Sequence, residues 1–258
     1  DGPTTGRLKF RTVIQQTFSD TYPSGDPSVD HGDILTNAAT VGGDVLNPAT
    51  FAPTGSGEAD GSGTSLSIAF GTLQKTIYAV NGSVCPGDVC SNVRISPGET
   101  VTYRLRYTQP ASDFEATTLT DFLPLPIFSA PSVMTYTNAI CGVPAPGTVC
   151  LGPADTYHDL DVRVPGSPTP VVPVMTTYPV SNTVVFAYAD YDNPFDVSSE
   201  IDLLLTVQAS NAPFADKLFL TNQANVTEGT TNAGSQVVNA IVQVELTQPA
   251  LINKKAAV

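Results

Sequence analysis

The sequence predicts an all-β fold, assembled as tandem immunoglobulin-like β-sandwich domains. The composition is the first sign: 22 Pro, 20 Gly, no Trp, two Met and only 14% charged residues in 258. Such a mix, rich in Thr, Val, Ser and Asn, suits pleated strands and turns and lacks the long Leu, Ala, Glu and Lys stretches of helices. Strict alternation is the second, with Val101, Tyr103, Leu105 and Tyr107 on one face and Thr102, Arg104 and Arg106 on the other. That period of two describes a sandwich strand with one buried and one wet face. The third is an internal repeat, Leu-Thr-Asn-x-Ala-x-Val, found at Leu35–Val41 and again at Leu220–Val226.

The repeat orders the elements along the chain. In the first copy Leu8–Gln15 precedes an acidic turn region, then Asp33–Val41, then the β-rich run Ser65–Phe70 leading into Lys75. In the second, Ile201–Gln208 precedes a turn, then Lys217–Val226, then Gln236–Leu246 leading into Lys254. A spacing this long marks a whole domain. The predicted frame is therefore 1–72 as the C-terminal part of one sandwich repeat and 73–250 as a complete repeat. Residues 251–258 read as the first strand of a next repeat or a donor strand. Inside the complete repeat, Ser96-Pro-Gly-Glu99 is a turn signal ahead of the alternating strand, and Thr183–Tyr188 and Leu203–Val207 are further strands. The Pro-rich stretch Val164–Pro179 reads as a long loop or irregular edge, because Pro cannot donate to a ladder.

Charge and cysteine usage narrow the function. A formal charge of −13 repels phosphate backbones and anionic lipid, which makes nucleic acid and the membrane surface poor partners. No apolar run approaches the roughly 18 residues of a bilayer span, and Asp1-Gly2-Pro3-Thr4 reads as a mature or excised start. The four cysteines fall in two close pairs, Cys85 with Cys90 and Cys141 with Cys150. A four-thiolate zinc site usually has two residues inside each pair, so the wider spacings favour two local disulfides over metal. Disulfides imply an oxidising, extracellular compartment.

Three stretches taken in order, Pro97–Tyr103, Ala116–Pro124 and Leu220–Val226, resemble the tandem conserved repeat domain (domain of unknown function eleven) of prokaryotic surface proteins. They are also similar to the fimbrial isopeptide-forming domains of pili and adhesins. The resemblance covers 73–250 fully and both flanks in part, and the segment 132–180 is longer than in the usual members. It implies an immunoglobulin-like sandwich serving as a spacer or adhesive unit. In isopeptide-forming relatives a first-strand Lys attacks a last-strand Asn beside a buried acid. The matching positions here are Lys75, Asn222 and Asp121, with Asn225 a second candidate acceptor. The chemistry needs a neutral amine and a protonated carboxyl, both favoured by burial. The competing assignment has Asn222 and Asp121 serving backbone turns while Lys75 reaches solvent.

Other candidates are weaker in pattern. Asp190, Asp192, Asn193 and Asp196 form an acidic cluster suited to Ca²⁺, although no twelve-residue EF-hand loop is present. His31 and His158, the only histidines, lie in dissimilar contexts and read as loop residues, and nothing singles out a catalytic pair. The expected function is therefore non-enzymatic: a structural cell-surface protein, the repeat of a fibre, pilus-like filament, surface layer or adhesin stalk. Leu251, Ile252, Lys254 and Val258 would form an assembly strand adding to the next subunit head to tail. The alternative is an adhesin module that recognises a glycan or host surface through long loops carrying Tyr157, Tyr178, Tyr191 and Phe195.

Overall fold

The structure, a computed structural model, describes residues 7–15, 17–18, 27–131, 133–157, 172–188, 198–211, 215–229 and 236–248. Its regular elements are β1 (Ile34–Leu46), β2 (Pro53–Ser67), β3 (Thr72–Val80), β4 (Ser83–Val84), β5 (Arg94–Ile95), β6 (Thr100–Gln109), β7 (Glu115–Phe122), β8 (Thr135–Ile140), β9 (Thr148–Leu151), β10 (Val174–Tyr178), β11 (Thr183–Ala187), β12 (Ser199–Gln208), β13 (Phe219–Gly229) and β14 (Gln236–Leu246), plus one 3₁₀ turn at Pro86–Asp88.

Strands β3 to β14 form two six-stranded sheets, one ordered β4-β3-β6-β12-β9-β8 and the other β10-β11-β7-β13-β14-β5. Pairing is antiparallel except at β8 with β9 and at β14 with β5. Their facing sides bury one continuous core that includes Tyr103, Tyr107, Phe114, Phe128, Tyr157 and Phe186. The chain is thus an all-β sandwich. It builds because β6, β12, β7 and β13 each bury every second residue toward the opposite sheet, most of them apolar. The alternating strand predicted at 99–107 is β6, those at 183–188 and 203–207 are β11 and β12, and β10 within the Pro-rich stretch is an edge strand.

The second face of β6 is not wet as its pattern predicted. Thr102 and Arg104 are buried. Arg104 donates from Nε and a terminal nitrogen to Asp202 on β12, at 2.9 and 2.7 Å, and stacks over Tyr78. Thr102 bonds Thr206. The cover comes from Tyr78, Ala79, Cys150 and Leu204, a small second cluster against which Cys141 and Val143 pack. Cys85 is bonded to Cys90 and Cys141 to Cys150, so the disulfides close the loops that lie over this face.

Strands β1 and β2 pair only with each other, as a two-stranded ribbon, and nearly every residue on it is exposed. Leu8–Gln15, the counterpart of buried strand β12, has no regular structure and is exposed. The base of the ribbon is fastened to the sandwich by residues 28–33. The Gly32 N–H donates to the Ile68 carbonyl, the Ile68 N–H to Asp33, and the His31 N–H to the Asp113 carbonyl. Two glycines are required here: a Cβ at Gly32, whose φ is +83°, would collide with the Phe70 ring, and one at Gly71 with Tyr107.

Candidate functional site

The inward-facing rows of three strands bring one polar group each to the same region of the core. On β3 that residue is Lys75, which shares its face with Ile77; on β7 it is Asp121, in the row Thr117, Leu119, Asp121; on β13 it is Asn222, in the row Leu220, Asn222, Ala224, Val226. Because β13 pairs with β7 in the register Ala224 to Asp121, Asn222 lies one inward position from the carboxylate. β3 belongs to the opposite sheet, so the lysine crosses the core to meet them. All three side chains are buried.

The Lys75 ammonium nitrogen is in direct contact with Asp121 Oδ2 and lies 3.4 Å from the Gln223 carbonyl oxygen and 5.1 Å from the centre of the Tyr103 ring. Burial lowers the Lys75 pKa against the opposing pull of Asp121. Burial likewise raises the Asp121 pKa, against the pull of Lys75 and of the Asn222 amide. Both shifts favour a neutral amine beside a protonated carboxyl. Tyr103, at the same place, has its hydroxyl pushed up by burial and by Asp121. The Asn222 carboxamide sits close enough to influence both Asp121 and Tyr103, yet neither its nitrogen nor its oxygen makes a hydrogen bond of ordinary geometry. A buried amide left so costs about 1–3 kcal/mol per group, and native structures keep such groups for a reason.

The arrangement sorts the sequence candidates. Asn222 is on the buried face beside Asp121, whereas Asn225 lies on the opposite side of β13, because three residues along a strand reverse the face. The assignment of Asn222 to a backbone turn fails, since it lies mid-strand with its amide in the core. Lys75 does not reach solvent. Among the loop aromatics, Tyr157 is fully buried against Phe114 and Tyr188, and Tyr178 is half exposed on the edge strand. Tyr191, Phe195, the proposed calcium ligands Asp190, Asp192, Asn193 and Asp196, His158, and the assembly strand Leu251, Ile252, Lys254 and Val258 lie outside the described residues.

His31, read from sequence as an ordinary loop residue, is completely buried. Its Nδ1 is 3.2 Å from Glu228 Oε1 and its Nε2 is 3.2 Å from the Ser112 carbonyl oxygen. Glu228 was legible in principle, because it continues the inward row of β13 two residues beyond Val226.

No protein-family profile and no curated protein matches the chain. Solved structures similar to it include BcpA, the major pilin subunit of Bacillus cereus, at 13% identity over 81% of this chain and 48% of that one, with a TM-score of 0.40. The C-terminal domain of the Streptococcus agalactiae antigen I/II polypeptide BspA is similar at 13% identity over 73% and 57%, TM-score 0.39. That of the Streptococcus pyogenes antigen I/II-family protein AspA is similar at 11% identity over 73% and 53%, TM-score 0.38. The chain spans about half the length of these relatives.

Proposed function

We propose that this chain is a load-bearing structural unit of an extracellular surface protein, of the kind found in fibres and adhesin stalks. Its sandwich is closed by a covalent bond between Lys75 and Asn222. One observation carries the reading: a lysine, a carboxyl and an asparagine are all buried in the core, the lysine in contact with the carboxyl, and the asparagine amide makes no hydrogen bond of ordinary geometry.

The reaction follows from the placement of the three groups. The neutral Lys75 nitrogen attacks the Asn222 side-chain carbonyl carbon, while the protonated Asp121 carboxyl polarises its oxygen. A new C–N bond forms, the bond to the amide nitrogen breaks, and Asp121 relays a proton from the lysine nitrogen to the departing group. Ammonia leaves, no oxidant is needed, and Asp121 returns to its starting state. The product replaces an orphaned amide with a secondary amide whose single N–H faces Asp121. Mechanically, the bond links β3 to β13 across the core, so tension entering at one strand leaves at the other without peeling the sheets apart.

Intact-mass spectrometry tests this reading. Once the four hydrogens lost to the two disulfides are allowed for, the folded chain is expected to weigh about 17 Da less than its sequence requires, the mass of one ammonia. Asp121→Ala is expected to restore the full mass. A full mass in the unaltered chain refutes the cross-link.

A further inference from the structure

The outer face of the β10-β11-β7-β13-β14 sheet carries no charge over three successive rows. The registers set Ile241, Gln223, Phe122, Thr183 and Tyr178 side by side across the five strands. The two rows beside it, from Asn239 to Thr176 and from Val237 to Val174, hold only Asn, Thr, Val and Ala. Charge returns at the borders, with Glu115 at the start of β7 and with Glu245, which Arg94 meets at 3.0 Å. Such a face departs from the rest of a chain whose formal charge is −13.

It is also rich in exposed apolar groups. Ile241 is 61% and Val174 70% exposed, and Val237, Phe122 and Tyr178 are exposed with them. Single exposed apolar residues are ordinary, whereas a contiguous patch of them among uncharged polar groups marks a surface that a partner covers. The polar groups are ordered in advance. Gln223 Nε2 donates to Asn239 Oδ1 at 3.1 Å and Gln243 Nε2 to Thr221 Oγ1 at 2.9 Å, so these long side chains are tied to their neighbours across the strands. Less rotamer freedom is then left to lose when the face is covered.

Charge, size and chemistry select the occupant. Two copies of a chain with 24 acidic and 11 basic residues repel in most orientations, but this face sets no charge against charge. Its strands of 11, 11, 8, 5 and 5 residues, at about 3.4 Å per residue and about 4.8 Å apart, cover about 650 Å² in plan. Each partner in a stable interface contributes a similar area, roughly 800 Å². Two sheets also pack face to face with interdigitating side chains. A sugar chain is the other neutral candidate. Against Ile241, Val237 and Val174, however, its hydroxyls would be covered without hydrogen-bond partners, which is costly.

We propose that this face is a self-association surface, on which a second copy of the chain packs sheet against sheet about a twofold axis. The same patch serves both copies, so the contact closes as a pair and joins two units side by side. It does not depend on the Lys75–Asn222 bond, because Asn222 points to the inner side of the sheet.

Sedimentation velocity of the full chain tests this. A dimer is expected to grow in as the chain is concentrated from about 1 to about 100 µM. It is expected to tighten as salt rises from about 0.02 to about 0.5 M, because screening weakens the repulsion between two anionic bodies and leaves the apolar contact. Ile241→Glu and, separately, Gln223→Glu set a carboxylate into the contact from both copies. Each is expected to weaken the dimer at least about tenfold with the melting temperature of the monomer unchanged. Val89→Glu, exposed on the Cys85–Cys90 loop beside the other sheet, adds the same charge away from the face and is expected to leave the dimer as it was. A monomer at every concentration and salt overturns the assignment, and so does a dimer that both face variants leave intact or that Val89→Glu weakens equally. A monomer slowed in a native gel by dissolved hydroxyethyl cellulose, and no longer slowed after Ile241→Glu, also overturns it and gives the face to a neutral glycan.

Discussion

Two hairpins in this chain carry the same Leu-Thr-Asn-x-Ala-x-Val motif and meet opposite fates. In β13, paired with β14, the row Leu220, Asn222, Ala224 and Val226 is buried to 6% exposure or less. In β1, paired with β2, the equivalent Asn37, Ala39 and Val41 are exposed, Val41 at 69%. Both motifs lie in antiparallel pairs, but β2 sets Thr64, Ser62 and Asp60 opposite Asn37, Ala39 and Val41, where β14 sets Val242, Ala240 and Val238 opposite Asn222, Ala224 and Val226. Coverage differs as well: β13 also pairs with β7 and packs on β3 of the second sheet, while β1 has β2 alone. A bare two-stranded ribbon is marginal by itself. The chemistry of the asparagine diverges with its surroundings. Asn222 shares the core with an acid from the neighbouring strand β7 and a lysine sent across from β3, and Asn37 meets solvent.

Substitutions at matched positions sharpen that contrast. The largest difference is expected at the asparagines. Asn222→Ala removes a cross-link closing a loop of well over a hundred residues, which in the chain-entropy picture stabilises by about 5 kcal/mol, and the loss is read as a fall in melting temperature. Asn37→Ala is expected to change stability by no more than about 0.5 kcal/mol, as for an ordinary surface site. A smaller difference is expected at the valines. Val226→Ala leaves a void in the core and is expected to cost about 2 kcal/mol by denaturant titration, while Val41→Ala leaves the midpoint unchanged. Equal effects at either pair would mean that the two hairpins are covered alike.

How much of this could be read from the residues follows the range of the interactions. Period-two alternation is local, and it located β6, β11 and β12 and the inward face of the first. The same alternation separates Asn222 from Asn225 and carries the row on to Glu228. The outer face of β6 was misread because its cover is supplied by Tyr78, the Cys141–Cys150 segment and Asp202, none of them near in sequence. His31 was missed for the same reason: its partner Glu228 lies 197 residues away, and nothing in the flanking residues announces it. The motif at 35–41 suggested a buried strand, and its exposure reflects what stands opposite it. Lys75, Asp121 and Asn222 were singled out by resemblance, whereas their burial required the fold.

The central claim, that one copy of the motif is a covalent acceptor and the other is not, is tested most directly by peptide mapping with tandem mass spectrometry of the proteolysed chain. A branched peptide joining Lys75 to Asn222 with loss of ammonia is expected, together with an unmodified peptide containing Asn37. Recovery of Lys75 and Asn222 on separate, unmodified peptides would contradict it.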